Sequence, residues 1–467
     1  MNYLEFVERK TQLDRDDVLE PDWLPDFLFP FQQSLTDWAL RKGRAAIFAD
    51  CGLGKTPMQL VWADNIVRLT GKPVLIVTPL AVSFQTVAEA DKFGVDAASS
   101  RDGSLPAPIT VTNYERLEHF DPSVLGGMVC DESSAIKSFD GVRRAIVTDF
   151  MRKLPYRLLC TATAAPNDYI ELGTSSEALG YLGHLDMLSR FFTNKEKSVR
   201  IRRPGRFQGA RDLDGNLRHM ENGWRCKGHA EQSFWRWVSS WARAMRRPSD
   251  LGFSDDGFEL PPLRQHDHVI QARVPREGAL FDMPAIGLQE EREEARRTIN
   301  ERCEQAAGLL EDADSAVAWC QLNDEGDLLT RLIDGAVQVK GSDDVDRKEE
   351  ALLAFSRGEV RVLVTKPIIG AWGLNWQHCN RMSYFPNHSY EQYYQAVRRS
   401  WRFGQRRPVV VDVVTTEGGI SALKNLQRKA DQADRMFESL VAHMRDALNI
   451  DRSAAFDTPV EVPSWIG

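Results

Sequence analysis

The sequence predicts an α/β chain of two tandem domains, each built on a parallel sheet, with a helical insertion after the first. Three observations lead there. Short apolar runs ending in small polar residues alternate with helical patterns over residues 25–190 and again over 313–418. Such near-continuous apolar strands are those buried on both faces, as in parallel sheets. Residues 191–262 break the rhythm with a basic run followed by apolar residues at helical spacing, and Glu290 to Leu310 reads as a charged helix joining the halves. The expected division is an N-terminal arm (1–24), a first domain (25–190), the helical and basic insertion (191–262), a linker and connecting helix (263–312), a second domain (313–418), and a C-terminal helix and tail (419–467).

The 467 residues allow about three domains, each large enough to bury a core. No run of about 18 apolar residues occurs, which excludes a membrane span, and the N-terminus lacks a signal peptide's apolar core. Cytoplasmic residence is the expectation. Seven cysteines with no C-x-x-C pair point to reduced thiols. Cys226, His229 and His219 lack a fourth ligand at zinc spacing. A net charge of −8 argues against a general nucleic-acid binder, so a polyanion would be held by a local patch. One exists: Lys195 to Lys227 carries ten basic residues against four acidic ones, Arg200, Arg202, Arg203 and Arg206 among them. It reads as a loop reaching for a phosphate backbone or as a solvated surface loop.

The organising stretch is Ala45 to Leu60. An apolar strand (Ala45 to Ala49) runs into Asp50-Cys51-Gly52-Leu53-Gly54-Lys55-Thr56, and a helical pattern follows. Glycines at 52 and 54 let backbone N–H groups approach a triphosphate, and the helix start turns its positive end to the anion. Lys55 is placed to neutralise β/γ oxygens and Thr56 to ligate Mg²⁺. Ala49 stands where the P-loop pattern has its first glycine. Upstream, the Leu28–Leu40 helix offers Gln32, whose amide suits an adenine edge, and Phe31, which suits stacking on the ring.

Downstream, Pro73–Pro79 and Ile109–Tyr114 are strands ending at Thr78 and Asn113, polar groups at the edge where parallel sheets bind ligands. The strand Val124–Cys130 delivers Asp131 and Glu132. Adjacent carboxylates repel unless they share a cation or proton, so Asp131 is expected to hold Mg²⁺ and Glu132 to orient or deprotonate the attacking water. Ser134 follows, and the strand Arg157–Cys160 ends at Thr161 and Thr163, whose hydroxyls are candidates for coupling the carboxylate loop to movement. Phe234, Trp237, Val238 and Trp241 form a packed helix face. In the second half, Ser315–Cys320, Val360–Thr365 and Val409–Val414 are strands. Tyr390 to Gln405 carries Gln395, Arg399 and Arg402, with the arginines expected on one helical face, aimed at a neighbouring domain's γ-phosphate.

In this order the motifs resemble the superfamily 2 helicases, and more narrowly their Swi/Snf-type DNA-dependent ATPases. The narrower likeness rests on Asp50 to Thr56, on Ile136-Lys137 after the Asp-Glu pair, on Gly370 to Gln377, and on Arg402-Phe403-Gly404-Gln405. Ser134 stands where that family often has His, and Trp376 where it usually has Leu. The resemblance implies two RecA-like domains around a nucleotide cleft, ATP and Mg²⁺ as cofactors, Gly373 among the coupling residues, and duplex DNA as partner. It implies a motor that tracks along DNA. The residues leave open a strand-separating or annealing helicase, and a nucleotide-gated scaffold in a larger DNA-processing or defence complex. A nuclease or methyltransferase would have to come from a partner chain.

Overall fold

The computed structural model describes residues 19–79, 82–136, 141–165, 169–194, 224–273, 287–370 and 375–452. Its first sheet holds β1 (Arg44–Ala49), β2 (Val74–Thr78), β3 (Ala97–Ser99), β4 (Ile109–Asn113), β5 (Gly127–Asp131) and β6 (Tyr156–Cys160). A two-stranded antiparallel ladder, β7 (Phe192–Asn194) with β8 (Trp224–Cys226), follows, and then β9 (Ala242–Met245) returns to the first sheet. The order is β3-β4-β2-β5-β6-β1-β9, with every pair parallel. β1, β2, β4 and β5 are buried along nearly their whole length, because helices cover both faces. One face packs on the helices Pro30–Lys42 and Lys55–Thr70 through Phe31, Leu35, Leu60 and Trp62; the other packs on Val142–Arg152, Leu172–Leu179 and Glu231–Trp241.

The second sheet is β10 (Leu263–Ile270), β11 (Ala316–Trp319), β12 (Ala336–Val339), β13 (Val362–Thr365), β14 (Arg381–Tyr384) and β15 (Val409–Thr416), in the order β10-β15-β14-β11-β13-β12, again parallel throughout. Both domains are thus α/β with parallel sheets, the RecA-like arrangement.

Two segments do more than their sequence suggests. The stretch read as a helical insertion supplies β9, which pairs with β1 and accepts the Asp50 N–H at the Met245 carbonyl (3.0 Å), so it buttresses the glycine loop. The stretch read as a linker supplies β10, the edge strand of the second sheet. The charged helix is two helices, Leu288–Arg297 and Ile299–Leu309. They meet at Thr298, whose hydroxyl bonds back to the Glu294 carbonyl at 2.8 Å and accepts Arg302 Nε at 3.2 Å.

Trp235, Val238 and Trp241 are at most 1% exposed, and Trp237 packs at their edge. Trp376 is fully buried, stacked on Trp319 (5.7 Å) with its indole N–H on Ser356 Oγ (3.0 Å). The helix Ile420–Arg452 straddles both domains: Leu423 and Leu426 join the second core, whereas Met436, Phe437, Leu440 and Met444 join the first. Among the described residues no helix is long and apolar enough to cross a membrane.

The two-domain span of that last helix is testable. Leu440 is 1% exposed in the first domain's core, so Leu440→Ala removes about 2–5 kcal/mol of packing. Expected is a lower urea midpoint for the first domain, with the exposed-site control Glu438→Ala unchanged; equal midpoints would mean the helix end is not docked.

Candidate nucleotide site

The loop after β1 is shaped by two glycines in the left-handed region, Gly52 (φ +90°) and Gly54 (φ +72°). Both also face close neighbours. A Cβ on Gly52 would lie 2.7 Å from the backbone nitrogen of Phe403, and one on Gly54 would strike the Gln32 amide. The second domain therefore reaches the loop directly. Lys55 starts the following helix, half-buried, with Nζ 3.0 Å from the Ala49 carbonyl and 3.4 Å from that of Asp50. Burial works against its charge, but Cys51, Glu132, Asp131 and Asp50 outweigh it and raise its pKa. Thr56 sits half-buried in the same first turn.

Asp131 ends β5, 7% exposed, and accepts the Gln59 amide at 2.7 Å. Burial and the neighbouring Glu132 push its pKa up to about 6. Glu132 has φ +48°, the only positive φ of a non-glycine among the described residues. Strained backbone of that kind persists only where the surroundings over-determine it. Here the strain aims the carboxylate at Thr161, whose hydroxyl donates to Glu132 Oε2 (3.2 Å) and accepts the Thr163 N–H (3.1 Å). Ser134 is 2% exposed, and its Oγ, like Thr163 Oγ1, has no hydrogen-bond partner among the described residues.

The cross-domain contact comes from the turn after the helix Tyr390–Val397. Arg399 and Arg402 do not share a helical face, as sequence spacing suggested, because the helix ends at Val397. The Arg399 carbonyl is taken by the Trp376 N–H (2.8 Å), and the Trp401 indole by the Pro261 carbonyl (2.7 Å), which turns the chain away. Arg399 is 4% exposed and bonds Gln395 Oε1 at 3.1 Å; Arg402 donates to Asn375 and is half-buried. Burial lowers the pKa of both, that of Arg402 to about 10 with Arg399 adding repulsion. Gln395 is fully buried, with Nε2 unpartnered among the described residues.

The strongest link is one that sequence reading missed. Arg398 forms a salt bridge with Asp50, and the Tyr394 hydroxyl donates to the same carboxylate. Asp50 and Arg398 are 3% and 6% exposed. Burial disfavours the Arg398 charge, but Asp50 outweighs it and raises the pKa; the guanidinium lies 4.2 Å from the Trp401 ring centroid.

Two expectations change. Gln32 accepts the Phe29 N–H (2.9 Å) and donates to the Leu53 carbonyl (2.9 Å), so its amide holds the glycine loop rather than standing open to a base. Phe31 is 2% exposed against Phe258, which itself stacks on Phe403 (4.9 Å). Thr78 and Asn113 lie side by side at the carboxyl ends of β2 and β4, but both are buried; Thr78 Oγ1 bonds the Pro79 and Thr112 carbonyls, and Asn113 Oδ1 has no partner among the described residues. Arg200, Arg202, Arg203, Arg206, Lys137 and Gly373 lie outside the described residues.

No family model and no curated protein matches the sequence. Among solved structures the chain is similar to S. cerevisiae Dbp5 bound to RNA and ADP BeF3, with 12% identity and TM-score 0.50, covering 89% of this chain and 98% of that one. A second similarity is to the Sulfolobus solfataricus SWI2/SNF2 ATPase core in complex with dsDNA, with 16% identity and TM-score 0.41, covering 92% and 97%. The shared fold is two RecA-like α/β domains in tandem.

The raised Asp131 fixes a sign. Its folded pKa exceeds the ordinary value of 3.8, so the folded state binds more protons between pH 4 and 6 and loses stability as pH rises through that window. Asp131→Asn, which keeps the acceptor for Gln59, is expected to raise stability at pH 7.5 by on the order of 1–3 kcal/mol, an advantage that vanishes near pH 4. Denaturant titrations at both pH values measure it, and a pH-independent difference would contradict it.

Breaking one side of a buried pair costs about 3–5 kcal/mol. Arg398→Ala and Asp50→Ala are each expected to open the domains, seen as a larger radius of gyration in small-angle scattering, with the double variant no more open than either. Additive effects would show that the two act separately.

Proposed function

We propose that the chain is an ATP-driven nucleic-acid motor of the Swi/Snf type, which couples ATP hydrolysis to movement along duplex DNA. The observation that carries this reading is the closing of one domain's glycine loop by the other domain's arginine turn, with Phe403 on Gly52 and Arg398 on Asp50. A site divided this way links nucleotide chemistry to the distance between the domains.

The residues suit the substrate. Gln395 Nε2, Ser134 Oγ and Thr163 Oγ1 are buried polar atoms without partners among the described residues, and Asp131 is a carboxylate that its surroundings drive toward a proton or a cation. The backbone at Gly52 and Gly54 receives the phosphates, and Lys55 exchanges the Ala49 and Asp50 carbonyls for phosphate oxygens. Thr56 and Asp131 would hold Mg²⁺, which neutralises phosphate charge. Glu132, held by Thr161, takes the proton of a water attacking the γ-phosphorus as the bond to ADP breaks. Arg399 and Arg402 stabilise the charge that spreads over the transferring group, an effect worth about 10³ to 10⁵ in rate when such an arginine arrives from a second domain. Because they act only when the domains are closed, polynucleotide that favours closure speeds turnover.

A nucleotide-gated scaffold is the second reading. It is favoured by the contacts that close the cleft with the protein's own groups: Gln32 and Lys55 on loop carbonyls, and Arg398 on Asp50.

Steady-state ATP hydrolysis without polynucleotide and with single-stranded DNA, duplex DNA and duplex RNA separates these. The motor predicts stimulation by duplex DNA, lost by about 10²-fold or more in Lys55→Ala and Glu132→Gln. Preference for single strands or RNA would favour a strand-separating helicase, and equal low rates throughout would favour the scaffold.

A further inference from the structure

We propose that His266, His268 and Asp412 form a binding site for a divalent transition-metal ion, with Zn²⁺ as its natural occupant. The site lies in the second domain, within the pair of strands β10 and β15, and is independent of the nucleotide cleft. Residues two apart on a strand project from the same face, which puts His266 and His268 together. The parallel register sets Asp412 directly beside His266. One carboxylate oxygen, Asp412 Oδ1, lies 2.8 Å from His268 Nε2 and 3.3 Å from His266 Nδ1, and one ligand atom from each residue lies within 4.8 Å of the others. Ligand atoms about 2.0–2.1 Å from a tetrahedral zinc are about 3.3 Å from one another, so modest side-chain adjustment makes the triad a coordination face.

The surroundings favour an ion. The Asp412 side chain is 2% exposed and its Oδ2 has no hydrogen-bond partner among the described residues. The nearest cation, Arg381, stands 3.6 Å from Oδ2 and spends the same nitrogen on the Leu309 carbonyl at 2.8 Å. His268 is a quarter exposed and His266 about half, which leaves an entry path and an open position for water. Two imidazole nitrogens and one carboxylate oxygen suit zinc and its neighbours rather than Mg²⁺ or Ca²⁺, which take oxygen ligands. The ion would tie β10, the strand by which the chain enters the second domain, to β15, its last.

The test is titration of the full chain, stripped with chelator, with Co²⁺ followed by visible absorption and with Zn²⁺ by calorimetry. Expected is one equivalent of Co²⁺ with the d–d bands of a low-coordinate site, displaced by Zn²⁺. His266→Ala and His268→Ala should each weaken binding about tenfold or more, and His229→Ala should leave it unchanged, with circular dichroism confirming that each variant is folded. No saturable uptake by the native chain, or equal uptake by the His268→Ala variant, would overturn the proposal.

Discussion

The buried ion pair between Asp50 and Arg398 is the constraint on which the cleft depends. Burying two charges is costly unless geometry and further hydrogen bonds offset the lost water. Both are present: Asp50 also accepts the Tyr394 hydroxyl and the Cys51 N–H (2.6 Å), and the guanidinium lies over Trp401 and Tyr394. Once Arg398 is fixed, the next residues have little freedom. Arg399 and Arg402 follow within four positions, and Phe403 arrives on Gly52, where no residue with a Cβ would fit. The glycine at 52 therefore has two reasons, a positive φ and the close approach of a second domain.

Much of the fold was legible because its strands are buried on both faces. Ala45–Ala49 and Pro73–Thr78 read as continuous apolar runs, and the glycines, the Asp-Glu pair and the arginine-rich segment, singled out in the sequence, gather around the loop after β1. What escaped reading has a common cause: the deciding interaction is tertiary. Nothing between Tyr390 and Phe403 breaks a helix, yet it stops at Val397; the Trp376 N–H claims the Arg399 carbonyl that another turn would use, and the Trp401 side chain is held on the Pro261 carbonyl. Ala242–Met245 is four residues directly after a helix, too short for a period to show, and becomes a strand because β1 offers it an edge. Arg398 looks no different in sequence from the arginine beside it; only the position of Asp50 distinguishes them. The His-x-His pair at 266 and 268 was a readable signal, but its carboxylate partner lies 144 residues from His268.

The helix Ile420–Arg452 extends the same argument beyond the cleft. It carries apolar residues into both cores, and Arg246 of the first domain pairs with its Asp434 (2.7 Å) beside Phe437. The two domains are therefore joined at the loop, through the crossing segment around Pro261 and Pro262, and along this helix. Opening the cleft must bend or release one of these connections, so the motion available is a hinge rather than a free separation.

The contacts that close the cleft also set what a nucleotide must do. Lys55 and Gln32 already bond the loop's own carbonyls, and Phe403 already covers Gly52. On the function proposed above, a phosphate would enter only by exchanging some of these bonds, and apparent affinity would be scaled by the fraction of molecules that are open. A weak pair at Asp50 would raise that fraction but leave the arginines too seldom in place; a stronger one would hold them there and slow release of product. Asp50 belongs to the glycine loop itself, so on that reading the residue that fixes this balance is part of the loop a phosphate would fill.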